Sequence, residues 1–236
     1  MNTGAEAVET AIKAARKWGY TVKGVPADQA KIIVCAGNFH GRTTTIVSFS
    51  DDPDAHDGFG PYTPGFVTIP FNDPAALEAA ITPHTAAFLV EPIQGEGGII
   101  VPDDGYLENI RDICDRHDVL MIADEVQSGY GRTGQWWAYD EEGFAPDIVV
   151  SGKPMGNGLP LAATAASRTL VEAFRARTGY FNTFASTPLQ AAVGMAVTAA
   201  GVVGEGCIQT DNQGALWQIG GQQLINRPIV QAAPHL

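Results

Sequence analysis

The sequence is poor in positive charge: 14 Lys and Arg stand against 26 Asp and Glu, for a formal net charge of -12. A nucleic-acid partner needs clustered basic residues, as does an anionic membrane surface, so neither is expected. Cysteine is scarce too. Cys35, Cys114 and Cys207 are odd in number and far apart, with no CxxC or Cys/His spacing. That gives no basis for a disulfide framework or a zinc site, and no metal is expected. Nothing approaches the roughly 20 apolar residues of a membrane span, and no basic segment followed by an apolar run opens the chain. The expectation is a cytoplasmic protein with buried free thiols. Lysine thins out as well: after Lys31, only Lys153 remains.

What is present is enough for a large core. The chain has 236 residues, 45% of them hydrophobic, which suits one α/β domain or a domain and a half. Thr3 to Trp18 carries apolar residues at helical spacing, with Glu6 and Glu9 early and Lys13, Arg16 and Lys17 late, an order that suits the helix dipole. Strands are expected at Lys31–Cys35, Gly65–Ile69, Ala86–Glu91, Val119–Asp124, Asp147–Ser151 and Leu161–Ala166. Helices are expected at Pro74–Ala80, Gly105–His117, Thr169–Ala176 and Pro188–Val203. Strands alternating with helices predict βαβ units and a largely parallel sheet. The segment 204–236, rich in Gln and Gly, changes character and reads as a divergent tail, leaving 1–203 as the main domain. Both ends read as cut, because no strand feeds the first helix.

Two residues carry the chemistry. Lys153 follows the apolar run Ile148-Val149-Val150 and enters Gly152-Lys153-Pro154-Met155-Gly156-Asn157-Gly158. Asp124 closes Val119-Leu120-Met121-Ile122-Ala123. Both runs should end at the carboxyl edge of one sheet, where open α/β folds keep their ligands. A surface lysine and a strand-end carboxylate capping a turn are the plain alternatives. An amine in a partly desolvated cleft opposite a buried carboxylate instead points to pyridoxal phosphate, with Lys153 forming the imine and Asp124 holding the pyridine nitrogen protonated. Thr3-Gly4-Ala5 opens a helix and is either a phosphate site or an ordinary N-cap. Phe39-His40, in the glycine-rich loop after Cys35, is either core or a cover for a flat ring. Gly129-Tyr130-Gly131-Arg132-Thr133-Gly134 matches G-x-G-x-x-G, but Gln135 to Gly143 is no crossover helix and no acid follows at the expected place, so dinucleotide binding is set aside.

The motifs Asn2-Thr3-Gly4-Ala5-Glu6-Ala7, Lys13-Ala14-Ala15-Arg16-Lys17-Trp18-Gly19-Tyr20, Gly37-Asn38-Phe39-His40-Gly41-Arg42-Thr43, Asp57-Gly58-Phe59-Gly60-Pro61 and Glu91-Pro92-Ile93-Gln94-Gly95-Glu96 resemble the class III, fold-type I aminotransferases that use pyridoxal phosphate. Up to about Tyr139 the likeness is to ornithine aminotransferases. Ser151 to Gly158 is more similar to the alanine-glyoxylate and phosphoethanolamine-lyase branches. The resemblance implies the large domain of that fold, a mostly parallel sheet with helices on both faces (three-layer αβα). It also implies transfer of an amino group from an ornithine-like or omega-amino donor to a 2-oxo acid. A lyase acting on a phosphorylated amine and a catalytically silent binding domain are the alternatives.

By the same resemblance Lys153 is the covalent attachment point and proton shuttle and Asp124 binds the ring nitrogen. Gln127 reaches the phenolic oxygen, Phe39 stacks on the ring, and Gly4 and Ala5 hold the phosphate, with Thr3, His40 and Val126 around them. Thr183 would reach the phosphate of a neighbouring subunit's cofactor, which implies a homodimer. Arg42 would pair with a substrate carboxylate, a surface ion pair being the alternative, and Glu96 would pair with a gating arginine of a C-terminal domain. This chain departs from the family at Ala185-Ser186-Thr187-Pro188, where Gly-Gly-Asn-Pro is usual. The family's N-terminal segment and small C-terminal domain are not represented.

Overall fold

A computed structural model describes residues 1–176, 178–184 and 187–201, together with the strands at 206–210 and 217–221. The strands are β1 (Lys31–Cys35), β2 (Phe66–Ile69), β3 (Thr85–Val90), β4 (Leu120–Asp124), β5 (Ile148–Ser151), β6 (Ala163–Ala166), β7 (Gly206–Thr210) and β8 (Trp217–Gly221). The α-helices are α1 (Gly4–Trp18), α2 (Pro53–His56), α3 (Pro74–Ala80), α4 (Tyr106–Arg116), α5 (Arg168–Arg175) and α6 (Pro188–Gly201). Each element of the first six strands and of the long helices lies within two residues of its sequence expectation. The short α2 has no such forerunner: it is a single turn that Asp52 caps by accepting from Asp54 N–H. The expected tail over 204–236 falls mostly outside the described residues, where only the antiparallel pair β7–β8 is seen.

The main sheet has the order β2-β1-β3-β4-β5-β6. All pairs are parallel except β5–β6. The exception has a local cause: the link from β5 to β6 holds only a 3-10 turn at Lys153–Gly156, and a parallel return needs a longer crossover. Side chains alternate between the two faces, as the period of two requires. On β4, Leu120 and Ile122 join the core beneath α1 and α5, whereas Met121 and Ala123 join the core beneath α3 and α4. That makes three layers. Every residue of β3 is buried, and each large apolar side chain so covered contributes about 1.5–3 kcal/mol.

Two polar devices set the layers. Thr3 and Glu6 form a capping box on α1, the Thr3 hydroxyl accepting from Glu6 N–H while the Glu6 carboxylate accepts from Thr3 N–H. Arg111 of α4 donates to Asp147 at 2.7 Å, and the same Asp147 oxygen accepts from Met121 N–H at 2.8 Å, fastening the helix to the start of β5 and to β4. Cys35 and Cys114 are buried free thiols, which burial pushes up to about 12. Among the described residues no helix is long and apolar enough to cross a membrane.

Candidate active site

The parallel strands β1, β3, β4 and β5 all end on one edge, and the N-terminus of α1 comes up to the same edge. A cavity of about 230 Å³ lies there. From α1 it receives Gly4 and Ala5. The capping box consumes the N–H groups of Asn2, Thr3 and Glu6. Those of Gly4 and Ala5 have no acceptor among the described residues and stand at the positive end of the helix dipole, an arrangement that suits an anion. A Cβ on Gly4 would come within 2.8 Å of Val126 Cγ1, and one on Gly41, whose φ is +126°, within 2.8 Å of Ala5 Cβ. The absence of both side chains lets three segments close on one small space.

The exit of β1 supplies Phe39, His40 and Gly41. Asn38 shapes it by donating to the carbonyls of Cys35 and Phe49. The Arg42 guanidinium lies over the Phe39 ring, 5.7 Å from its centroid. His40 is buried, and its Nδ1 lies 2.7 Å from Asp124 Oδ2. Burial alone would discharge the ring; the hydrogen bond and charge of Asp124, with Glu91 nearby, outweigh it and hold the His40 pKa above its ordinary value. Its Nε2 is buried with no hydrogen-bond partner among the described residues.

At the exit of β4, Asp124 is 4% exposed and accepts from Val126 N–H at 3.0 Å through its second oxygen. The next residue, Glu125, is turned away from the cavity. It is fully buried, accepts from Ser128 hydroxyl and Tyr139 N–H, and is pushed up to about 7 by burial. Glu91, at the exit of β3, does line the cavity. It accepts from Phe39 N–H at 3.0 Å, and burial, which outweighs the attraction of His40, pushes it up to about 7.

Lys153 opens the 3-10 turn after β5 with φ of +30°, a backbone state that a side chain makes costly by about 1–2 kcal/mol. Its Nζ donates to Gln127 Oε1 and lies 3.7 Å from Glu96 Oε1. The desolvation expected from the sequence is not found: the side chain is 42% exposed, because the glycine-rich turn carries it out over the edge of the sheet.

Of the residues singled out in the sequence, Gly4, Ala5, Phe39, His40, Glu96, Asp124, Val126, Gln127 and Lys153 share this cavity. Thr3 does not line it and is the helix cap, while Gly4 and Ala5 do line it. Arg42 sits behind Phe39, exposed, and no carboxylate among the described residues pairs with it. Thr183 is exposed in a turn away from the cavity lining, and Ala185 and Ser186 lie outside the described residues. Sequence reasoning gave no site role to Glu91 or Gly41. The signal for Glu91 was available, since it follows the apolar run Ala86 to Val90 just as Asp124 follows Val119 to Ala123. Gly129 to Gly134 is a turn from which no crossover helix opens.

Chemically the cavity offers free helix N–H groups, a buried carboxylate backed by a histidine, and a primary amine. These match a phosphate, a protonated ring nitrogen and an aldehyde, and the cradle made by Gly4 and Gly41 leaves room where a side chain would intrude. Pyridoxal phosphate fits this donor set.

Comparison with known proteins gives the same direction. The pattern of the family described as aminotransferase class-III matches residues 1–205. The ornithine aminotransferase of Brevibacillus brevis is 48% identical over 98% of this chain and 58% of its own length. The ornithine aminotransferase structure from Toxoplasma gondii ME49 superposes with a TM-score of 0.83 at 44% identity, covering 85% of this chain and 48% of that one. A second Toxoplasma gondii structure, crystallised with oxidised glutathione and partially occupied by PLP at its active site, superposes with a TM-score of 0.82 at 45% identity over 84% of this chain and 47% of its own. The chain thus spans about half the length of the relatives it matches. Its six-stranded, mostly parallel sheet is the fold-type I arrangement. With the family pattern running through every residue that lines the cavity and the fold shared at this level of identity, the chain belongs to the class-III aminotransferases.

Proposed function

We propose that the cavity binds pyridoxal 5′-phosphate and serves the transfer of an amino group from an ornithine-like or other omega-amino donor to a 2-oxo acid. The observation that carries this reading is the meeting of Lys153, the buried Asp124–His40 pair and the unpaired N–H groups of α1 in one cavity. When bound, the cofactor supplies an electron sink at its protonated ring. The protein's own groups do the rest. Gly4 and Ala5 N–H hold the phosphate, and Asp124, beside His40, accepts from the ring N–H. Gln127 orients the phenolic oxygen, and Phe39 covers one face of the ring.

Lys153 Nζ provides the covalent anchor. With Gln127 accepting from it, the Lys153 amine would also be placed to move a proton to or from the carbon bearing the donor's amine, which makes an intermolecular transfer intramolecular. Arg42, with no carboxylate partner of its own among the described residues, is available to a substrate carboxylate as a two-point donor. Glu96, at the mouth beside Lys153, would meet a cationic gate from outside the chain. The family resemblance and the exposed Thr183 support a homodimer in which Thr183 serves the neighbour's phosphate. The buried free thiols agree with a cytoplasmic setting.

The test is a half-reaction. Cofactor-loaded protein is mixed in turn with ornithine, 4-aminobutyrate, β-alanine and phosphoethanolamine, and the cofactor absorption is followed. Loss of the loaded form with ornithine, reversed by a 2-oxo acid, is the expected outcome. Release of phosphate and ammonia from phosphoethanolamine alone, with the loaded form regenerated and no 2-oxo acid required, would replace the transferase reading with a lyase.

A further inference from the structure

We propose that Glu91 is a positioning residue of this site: its carboxylate fastens the loop that carries Phe39 to the end of β3, and it places a negative charge beside the Asp124–His40 pair. The inference rests on the cofactor reading above and adds to it a group with a distinct role.

Glu91 follows directly on the wholly buried β3, is 6% exposed and faces the cavity. One of its oxygens accepts from Phe39 N–H at 3.0 Å. Phe39 heads the wall formed by the β1 exit, while Gly95 immediately precedes Glu96. Gly95 in turn presses on Gln127: a Cβ there would lie 2.6 Å from Gln127 Cγ. Gln127 holds Lys153 Nζ. The wall that covers the ring is therefore fastened to the end of β3 by one buried carboxylate, which opens the turn leading to Glu96.

A neutral side chain would serve as well if holding the Phe39 N–H were the whole task. Burying a carboxylate is costly, and Glu91 bears that cost beside two other titratable groups of the same cavity, His40 from the β1 exit and Asp124 from the β4 exit. His40 is fully enclosed, with Nε2 lacking a partner among the described residues. An ionised Glu91 favours the charged form of His40 and adds negative potential where a protonated ring nitrogen would sit. Since burial pushes Glu91 up to about 7, both of its forms exist near neutral pH.

The experiment uses pyridoxamine 5′-phosphate, which has the ring and phosphate but forms no imine with Lys153. Its dissociation constant is measured for the whole chain and for Glu91→Gln between pH 5.5 and 8.5, with the melting temperature recorded beside it. A glutamine mimics the protonated acid, so Glu91→Gln should bind about tenfold more weakly at pH 8 and within about twofold at pH 5.5, on the scale of one charge-assisted contact. A ratio that is constant with pH, or equal affinities throughout, would overturn the proposal. Absence of binding by the unaltered chain would instead overturn the cofactor reading itself. If Glu91→Gln does not fold, the ring-carbon shift of His40 in histidine-labelled protein, assigned with His40→Asn, takes its place. A second inflection near pH 7 is expected from Glu91, and a single step would contradict its role.

Discussion

His40 Nδ1 and Asp124 Oδ2, 84 residues apart in sequence, lie 2.7 Å from each other at the buried side of the cavity. The negative charge of Asp124 holds the His40 pKa above its ordinary value against the effect of burial. Asp124→Asn removes that charge while keeping the shape. Binding of the cofactor should persist, and the rate of amino transfer should fall by about 10²–10³-fold, the usual scale for losing one well-placed electrostatic partner. Single-turnover kinetics with a donor would measure it.

Gly4 sets the approach of α1 to Val126. Gly4→Ala should not weaken the helix, since alanine is the better helix former, yet its methyl would come within 2.8 Å of Val126 Cγ1. Cofactor affinity is expected to drop about tenfold, the scale of a displaced hydrogen-bonded anion contact, with little change in melting temperature. Val126→Ala in the same chain should restore most of it. Equilibrium titration of the two variants checks both statements.

Arg111 holds Asp147, and Asp147 also receives Met121 N–H. Removing one partner of a largely buried pair leaves the other charged and unmatched. Arg111→Ala should therefore lower the unfolding free energy by about 2 kcal/mol, read from urea denaturation, while the cavity residues stay in place. Asp147→Ala should cost at least as much, because it also frees a backbone N–H.

The buried acids make stability depend on pH. Glu91 and Glu125 are both raised from 4.5 to about 7 in the folded chain. Between those values the folded state binds more protons than the unfolded one, so stability falls as pH rises from about 4.5 to 7. His40, also raised, acts in the same direction at somewhat higher pH. The loss for a well-buried acid is at most on the order of 3 kcal/mol. Glu125→Gln can still accept from Tyr139 N–H and donate to the Ser128 hydroxyl. Urea unfolding at pH 5.5 and 8 should show a clear loss for the unaltered chain and a smaller one for this variant.

How far the site is legible in sequence depends on what each residue's neighbours along the chain reveal. Lys153 and Asp124 can be picked out because each ends a run of apolar residues that could only be a buried strand, and parallel strands deliver their ends to one edge. Glu91 obeys the same rule, but it is overshadowed by the turn it opens. The bond between His40 and Asp124 is invisible to local pattern, since it exists only because β1, β3 and β4 are neighbours in the sheet. Thr3 illustrates a different limit: cap and anion site read as rivals in sequence, whereas the fold uses the Thr3 hydroxyl as the cap and leaves the next two amides facing the cavity. The exposure of Lys153 was misjudged because composition marks a glycine-rich loop without saying how far it stands from the core. The antiparallel β6 and the position of Arg42 behind Phe39 likewise follow from connections and packing that residue types alone do not specify.

The central claim is that Lys153 is the amine of a pyridoxal phosphate site. The most direct measurement is to incubate the chain with pyridoxal phosphate, reduce with borohydride and locate the added mass by peptide mapping, beside Lys153→Ala. One pyridoxyl group per chain, on Lys153 and absent from the variant, is the predicted result. Equal labelling of the variant, or label spread over Lys13, Lys17, Lys23 and Lys31 with none on Lys153, would contradict it.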